Sequence, residues 1–336
     1  LKIYLLIWPF IFVTQIYAQR SDFNHLDFKK SDSIALAYKD EGLSNLPLLA
    51  YNLTSHLDTE VERFRAIYIW VCQNISNNYN LFLKQKRQRQ RFKNDSTKLE
   101  KWNSKFRKKL FSKLRKDQST ICTGYAYLVK ELSQLAHIEC EIVIGYGRVS
   151  TTNIDKLDQP NHSWNAVKLD NKWYLCDPTW ASGYPNPKTN RFTFQYNDGF
   201  FLTNPMLFSV NHFPVKSKWW LIEKNPPSLH HFLDSPVLYG KAYTLLNKHI
   251  LPDKMNQTVL PYQKVRFEYD LKSTAQIKGI KLLIDNGFTS WETIPFSTST
   301  LNASLIIEHQ FKTSGFYDVH VIINEDFIAS YTFKVK

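Results

Sequence analysis

His162-Ser163-Trp164-Asn165-Ala166-Val167-Lys168-Leu169-Asp170-Asn171-Lys172-Trp173-Tyr174-Leu175-Cys176-Asp177-Pro178 is the stretch whose reading decides the fold. Two apolar runs, 163–169 and 172–176, flank Asp170-Asn171, which reads as the two-residue turn of a β-hairpin. With that turn, Leu169 faces Lys172 and Trp164 faces Asp177. His162 and Asp177 then lie on one face, diagonal to each other at roughly 7–8 Å between backbones, a gap an imidazole and a carboxylate can close. By the same alternation Cys176 points away from His162.

Upstream, Ser119 or Thr120 can cap a helix whose apolar face is Ile121, Tyr125, Leu128, Val129, Leu132 and Leu135, which puts Cys122 in its first turn. A thiol acts as a nucleophile only as the thiolate, and a helix N-terminus with a nearby imidazole favours that form. The first-turn N–H of Cys122 is itself an unpaired donor that can face a developing oxyanion. A strand over 140–146 follows the helix. The ordered set of Cys at a helix start, His on a strand and Asp at the end of the next points to Cys122 as nucleophile, His162 as base and Asp177 as orienter. Taken singly, a Cys in an apolar helix is more often core and an Asp-Pro pair more often a turn.

Further out, Thr59 and Glu62 have the spacing of a capping box before Val61, Phe64, Ile67, Tyr68, Val71 and Ile75, so 59–75 is read as a helix. Between Lys84 and Lys116 there are fifteen Lys and Arg against Asp95 and Glu100, which accounts for a formal net charge of +13 over the whole chain. Leu99, Trp102, Phe106, Leu110, Phe111 and Leu114 trace one stripe through the second half of this segment, which reads as an amphipathic helix with a charged outer face, and the charge run reads as a solvated helix face plus a flexible loop. Residues 182–236, rich in Pro, Asn and aromatics, read as long loops. From Val265 onward, alternating residues and the turns Asn286-Gly287 and Asn324-Glu325 give five short strands, a small β-sandwich.

The first eighteen residues combine Lys2, an apolar run from Ile3 to Val13 and Ala18, the pattern of a signal peptide; the run is shorter than the roughly 20 residues a membrane span needs. Cys72, Cys140 and Cys176 read as small buried hydrophobes, none of the four cysteines has metal-ligand spacing, and no metal or cofactor is expected.

Cys122-Thr123-Gly124-Tyr125-Ala126, His162-Ser163-Trp164-Asn165 and Trp173 through Trp180 closely resemble the three signature segments of the transglutaminase-like superfamily. The branch they resemble is the kyphoscoliosis peptidase and cytokinesis-protein group. Phe200-Phe201-Leu202-Thr203 and Asn211-His212-Phe213-Pro214 are similar to that branch's downstream segments. The resemblance implies an α+β, papain-type domain in which the Cys-bearing helix packs on an antiparallel sheet. Relatives often carry Gly shortly before the Cys and before the Ile that follows the helix, where this chain has Ser119-Thr120-Ile121 and His137-Ile138.

The organisation expected is a signal peptide at 1–18, a helical lead-in at 19–58, the transglutaminase-like domain at 59–235 with a basic insertion at 84–116, a linker at 236–254 and the sandwich at 255–336. The function expected is an exported, secreted or periplasmic, thiol hydrolase that cleaves peptide or glutamine amide bonds through a Cys122 thioester. A silent scaffold or adhesion protein and a cross-linking transglutaminase are the alternatives. The expected partners are a peptide or protein substrate and an acidic surface polymer on the basic segment; nucleic acid is not expected, because no binding motif accompanies the charge.

Overall fold

Thr59 opens the helix on which the first half is built: its side chain accepts from the Glu62 N–H at 3.2 Å and Glu62 reaches back to the Thr59 N–H at the same distance, a reciprocal cap. The computed structural model describes residues 19–150, 152, 154, 157, 159–186, 189 and 191–336. The signal peptide expected at 1–18 lies outside the described residues, among which no helix is long and apolar enough to cross a membrane. In chain order the helices of the first half are α1 (Lys29–Ala37), α2 (Leu46–Thr54), α3 (Glu60–Asn74), α4 (Tyr79–Arg91), α5 (Ser96–Asp117), α6 (Cys122–Leu135), α7 (Pro178–Ser182) and α8 (Pro205–Asn211). Its strands are β1 (Ser76–Asn77), β2 (Ser119–Thr120), β3 (Cys140–Gly147), β4 (His162–Leu169), β5 (Lys172–Cys176), β6 (Gly183–Asn186), β7 (Arg191–Phe194) and β8 (His212–Pro214).

Strands β5, β4, β3 and β8 form one antiparallel sheet in that order. The hairpin has the expected register, Leu169 opposite Lys172 through Asn165 opposite Cys176, and Asp170 and Asn171 both take the left-handed conformation at φ 47° and 62° that such a turn demands. Helix α6 packs on β4 and β3, and α3, which carries Cys72, packs on α6. This is an α+β domain with a Cys-bearing helix on an antiparallel sheet. Buried Phe64, Trp70, Tyr125, Val129, Trp164 and Phe201 belong to its continuous core. All four cysteines are free and buried.

The basic segment folds as two helices, with α5 over the half read as amphipathic and α4 before it. Asp95 caps α5 through the Lys98 N–H, and α4 and α5 pack through a small separate cluster of Leu81, Phe106, Leu110 and Ile121. Gln118, left-handed at φ 46°, ends α5 and turns the chain into β2. The cap expected from Ser119 or Thr120 does not form; Ile121 holds the cap position and no side chain bonds there, because Ser119 and Thr120 pair with β1 instead. The stretch read as long loops contains the β6–β7 hairpin, α8 and β8, elements too short to show a period.

Further on come α9 (Leu229–Asp234), β9 (Val237–Leu238), α10 (Ala242–Leu245), β10 (Leu246–Leu251), β11 (Asn256–Val259), β12 (Lys264–Leu271), β13 (Ile280–Asp285), β14 (Ser290–Thr293), β15 (Ser297–Leu301), β16 (Ser304–Gln310), β17 (Gly315–Ile323) and β18 (Asp326–Val335). They form two sheets, β10-β12-β16-β15 and β11-β18-β17-β13-β14 with β9 on β18, in the manner of a small sandwich. Alternation drives it: Val265, Phe267, Tyr269 and Leu271 are buried along β12 while Lys264 and Arg266 are exposed. The two halves share one core, with the Phe200 and Tyr243 rings 4.4 Å apart.

Candidate functional site

Asp177 leaves the end of β5 and becomes the N-cap of α7, with Pro178 in the first helical position where no N–H is needed. Its Oδ1 accepts from the Thr179 N–H at 2.9 Å and the Trp180 N–H at 3.1 Å. Its Oδ2 faces His162 Nε2 at 2.6 Å and His212 Nε2 at 3.1 Å. Asp177 and His212 are almost fully buried and His162 is 8% exposed. A carboxylate so enclosed persists only with such partners. Burial would raise its pKa, but His162 and then His212 hold it below the usual carboxylate range. Burial opposes the charged form of His162, and the Asp177 carboxylate outweighs it, raising the imidazole to about 10. His212 goes the other way: burial pushes it down to about 4 despite the same carboxylate.

Aromatic rings fix the imidazoles. Trp180 stacks on His162 with centroids 4.8 Å apart, and Phe208 stacks on His212 at 3.7 Å. Asn165 ties the sheet to the helix by donating to the Ala126 carbonyl at 2.9 Å. Gly124 allows that helix to sit close: a Cβ there would come within 1.9 Å of Thr120 Oγ1.

Cys122 is buried at the start of α6, in the wall of a cleft of about 590 Å³ shared with His162 and Ser163 and bordered by Gln85, Arg89 and Arg107. Burial pushes its thiol up, but hydrogen bonding and charge from His162, with help from the Ser163 backbone, bring the pKa below the ordinary value. The other thiols behave as buried hydrophobes: burial raises Cys140 to about 12 and raises Cys72 and Cys176 as well. Arg89 joins the basic helices to the site by donating to the Pro160 carbonyl at 2.6 Å.

The expected chemistry is corrected by this arrangement. The expectation made Cys122, His162 and Asp177 one catalytic unit, with Asp177 dedicated to orienting a single imidazole. The compact buried cluster found is His162, Asp177 and His212, whose ligand atoms all lie within 4.8 Å of one another, and no cysteine belongs to it. Asp177 Oδ2 is divided between two rings rather than reserved for one. The thiol hydrolase acting through a thioester, and with it the cysteine-peptidase and catalytic-triad assignments, gives way to a transglutaminase-like scaffold. His212 was given no role from sequence; the signal was present in Asn211-His212-Phe213-Pro214, but nothing local says that β8 closes the sheet beside β3 and brings this ring to Asp177.

Residues 48–178 match the model of the transglutaminase-like superfamily. Kyphoscoliosis peptidase from Homo sapiens is 36% identical over 201 residues, 59% of this chain and 27% of that protein, and the Mus musculus protein matches to the same extent. Hillarin from Drosophila melanogaster is 23% identical over 224 residues, 63% of this chain and 25% of its own length. The chain thus spans about a quarter of these relatives. A solved structure described as a TGase superposes with a TM-score of 0.27 at 16% identity, covering 50% of this chain and 35% of that one, too slight a likeness to carry weight. The chain contains a transglutaminase-like domain related to the kyphoscoliosis-peptidase branch.

Proposed function

We propose that this domain is a catalytically silent binding scaffold that takes an acidic peptide or acidic polymer into the cleft beneath α4 and α5. The observation that carries the reading is the make-up of the cleft: Arg89 and Arg107 from the basic helices stand over a floor that includes Cys122, His162 and Ser163. Lys105, Lys108, Lys109, Arg115 and Lys116 continue the positive face beside it and are exposed. Such a field raises the local concentration of an anionic chain and makes its capture salt-sensitive. Cys122, His162 and Asp177 remain the residues assigned to the site, as its floor and frame. The β-sandwich, sharing a core with the domain, supplies a rigid platform for a protein partner.

The test is a fluorescence-anisotropy titration of the full chain with labelled polyglutamate at several salt concentrations. The reading expects binding that weakens steeply with salt, weakens further in Arg89→Gln/Arg107→Gln, and is unchanged in Cys122→Ala. Salt-independent binding, no binding, or Cys122-dependent turnover of the bound peptide would overturn it.

A further inference from the structure

We propose that α2, α3 and the C-terminal end of α6 frame a second binding pocket, which takes a single carboxylate carried on a compact apolar group. The pocket holds about 390 Å³ and lies at the far end of α6 from Cys122, roughly 20 Å away along a 14-residue helix. Arg63 of α3 lines it. This residue is partly buried and its Nε is wholly shielded from solvent, yet that nitrogen has no hydrogen-bond partner and the guanidinium no carboxylate partner among the described residues. Arg65, two residues on, shows the contrast: Asp32 accepts from its Nε at 2.7 Å and its Nη2 at 2.9 Å, and Asp198 and Tyr196 accept from its Nη1. A guanidinium is always charged and presents five donors, so one buried without partners is poised for an external acceptor.

The ordinary role for such a cation is to cap the helix ends that meet there, and backbone groups already fill it. At the end of α2 the Leu57 N–H donates to the Thr54 carbonyl at 3.1 Å. At the end of α6 the His137 and Ile138 N–H groups donate to the Gln134 and Ser133 carbonyls at 3.0 and 2.8 Å. What the two helix ends supply is a negative potential that holds the guanidinium in place. Thr54 spends its hydroxyl proton on the Ala50 carbonyl at 2.7 Å, which leaves Arg63, with the Ser55 hydroxyl at the same pocket, to meet a ligand. The facing wall is apolar: Pro47, Leu57, Leu135 and the ring of Tyr51. Tyr51 and Leu135 are 66% and 41% exposed, so a ligand seated here covers apolar surface that now faces water. An unpaired, fork-shaped cation beside an apolar wall selects a carboxylate on an apolar body. A peptide ending in an apolar residue and a free short-chain acid share that chemistry. Capture of a polyanion under α4 and α5 draws on charge alone, so the two sites take different ligands.

The experiment titrates the full chain with N-acetyl-phenylalanine, 3-phenylpropionate and N-acetyl-phenylalaninamide by calorimetry. Both acids are expected to bind, and the uncharged amide to bind at least about tenfold more weakly. Tighter binding of N-acetyl-phenylalanine, the acid that carries a peptide group, assigns the pocket to peptide termini; equal or weaker binding than 3-phenylpropionate assigns it to free acids. Arg63→Gln should weaken the acids at least about tenfold, and Arg63→Lys, which keeps the charge and loses the fork, should fall between. The proposal is overturned if neither acid binds, if the amide binds as well as the acids, or if Arg63→Gln binds like the unaltered chain. Because a change on α3 can also disturb packing, 1H–15N NMR of the unaltered chain follows the Arg63 Nε–H directly. That resonance should move with the acids and stay in place with the amide; no movement at saturating acid also overturns the assignment.

Discussion

The Cys-bearing helix α6 and the basic helix α5 adjoin in the chain, yet they are held in different ways. Helix α6 lies in the continuous core, with Tyr125, Leu128, Val129 and Leu132 almost fully buried and Asn165 bonded to its backbone. Helix α5 is longer and contributes one buried residue, Leu114, to that core, with the partly buried Phe111 packed against it; Phe106 and Leu110 belong to a satellite cluster of four buried residues. The free energy of opening a segment grows with the apolar surface it exposes to water, so the floor of the cleft is fixed while its basic roof is the less stable part. A scaffold of this kind keeps its recognition geometry on one side and its adaptability on the other.

The largest effect that would break this comparison comes from the core. Phe64→Ala should cost about 3–5 kcal/mol in urea unfolding, whereas Phe106→Ala should leave the main transition nearly in place and speed amide hydrogen exchange only in α4 and α5. Equal global losses from both would mean that roof and floor unfold as one.

The buried cluster gives the next largest effect. Asp177→Asn leaves His162 without its carboxylate and should destabilise by about 3–5 kcal/mol. The pH dependence has a definite sign. His162 is raised from 6.5 to about 10, so its contribution is fully present below about pH 6.5 and lost as pH rises toward 10. Asp177 is depressed, so its contribution is present above its ordinary value of 3.8 and lost in acid. His212 is depressed to about 4, so its contribution is present above 6.5 and lost as pH falls through 4. Urea midpoints should therefore peak near neutrality and fall on both sides; in Asp177→Asn the alkaline limb should flatten.

Thiol reactivity sharpens the contrast at a smaller scale. Cys122, 7% exposed and beside an imidazole that favours its thiolate, should react with iodoacetamide at least about tenfold faster than Cys72, Cys140 or Cys176 in the folded chain. Uniform rates would show that the cleft does not reach the thiol. The smallest effect belongs to the roof: Lys108, Lys109, Arg115 and Lys116 changed together to Gln should shift stability by less than about 1 kcal/mol, while reducing the salt dependence of polyglutamate binding.

These contrasts also explain what could be read from sequence. The hairpin was legible because register follows from a two-residue turn and alternation, both local properties of 162–177. The sandwich strands β12, β13, β16, β17 and β18 were legible for the same reason, whereas β14 and β15 are short edge strands whose residues are almost all exposed, so burial leaves no pattern in them. The entry to α6 was misread because Ser119 and Thr120 are good caps in isolation and here serve a parallel pairing with β1. His162 and Asp177 were placed by one hairpin; His212 was not, since its position depends on a strand far along the chain docking against β3. The expected chemistry was overturned at that third residue, whose place no local pattern announces.

The shared core has a further consequence for handling the protein. Phe200 and Tyr243 meet across the two halves, and the segment that links them supplies β9 and β10 to the sandwich. A protease nick between α9 and β11 would sever the peptide chain while leaving those apolar faces in contact. The two fragments would run apart on a denaturing gel and elute together from a sizing column, and each, prepared alone, would carry a freshly exposed sticky surface.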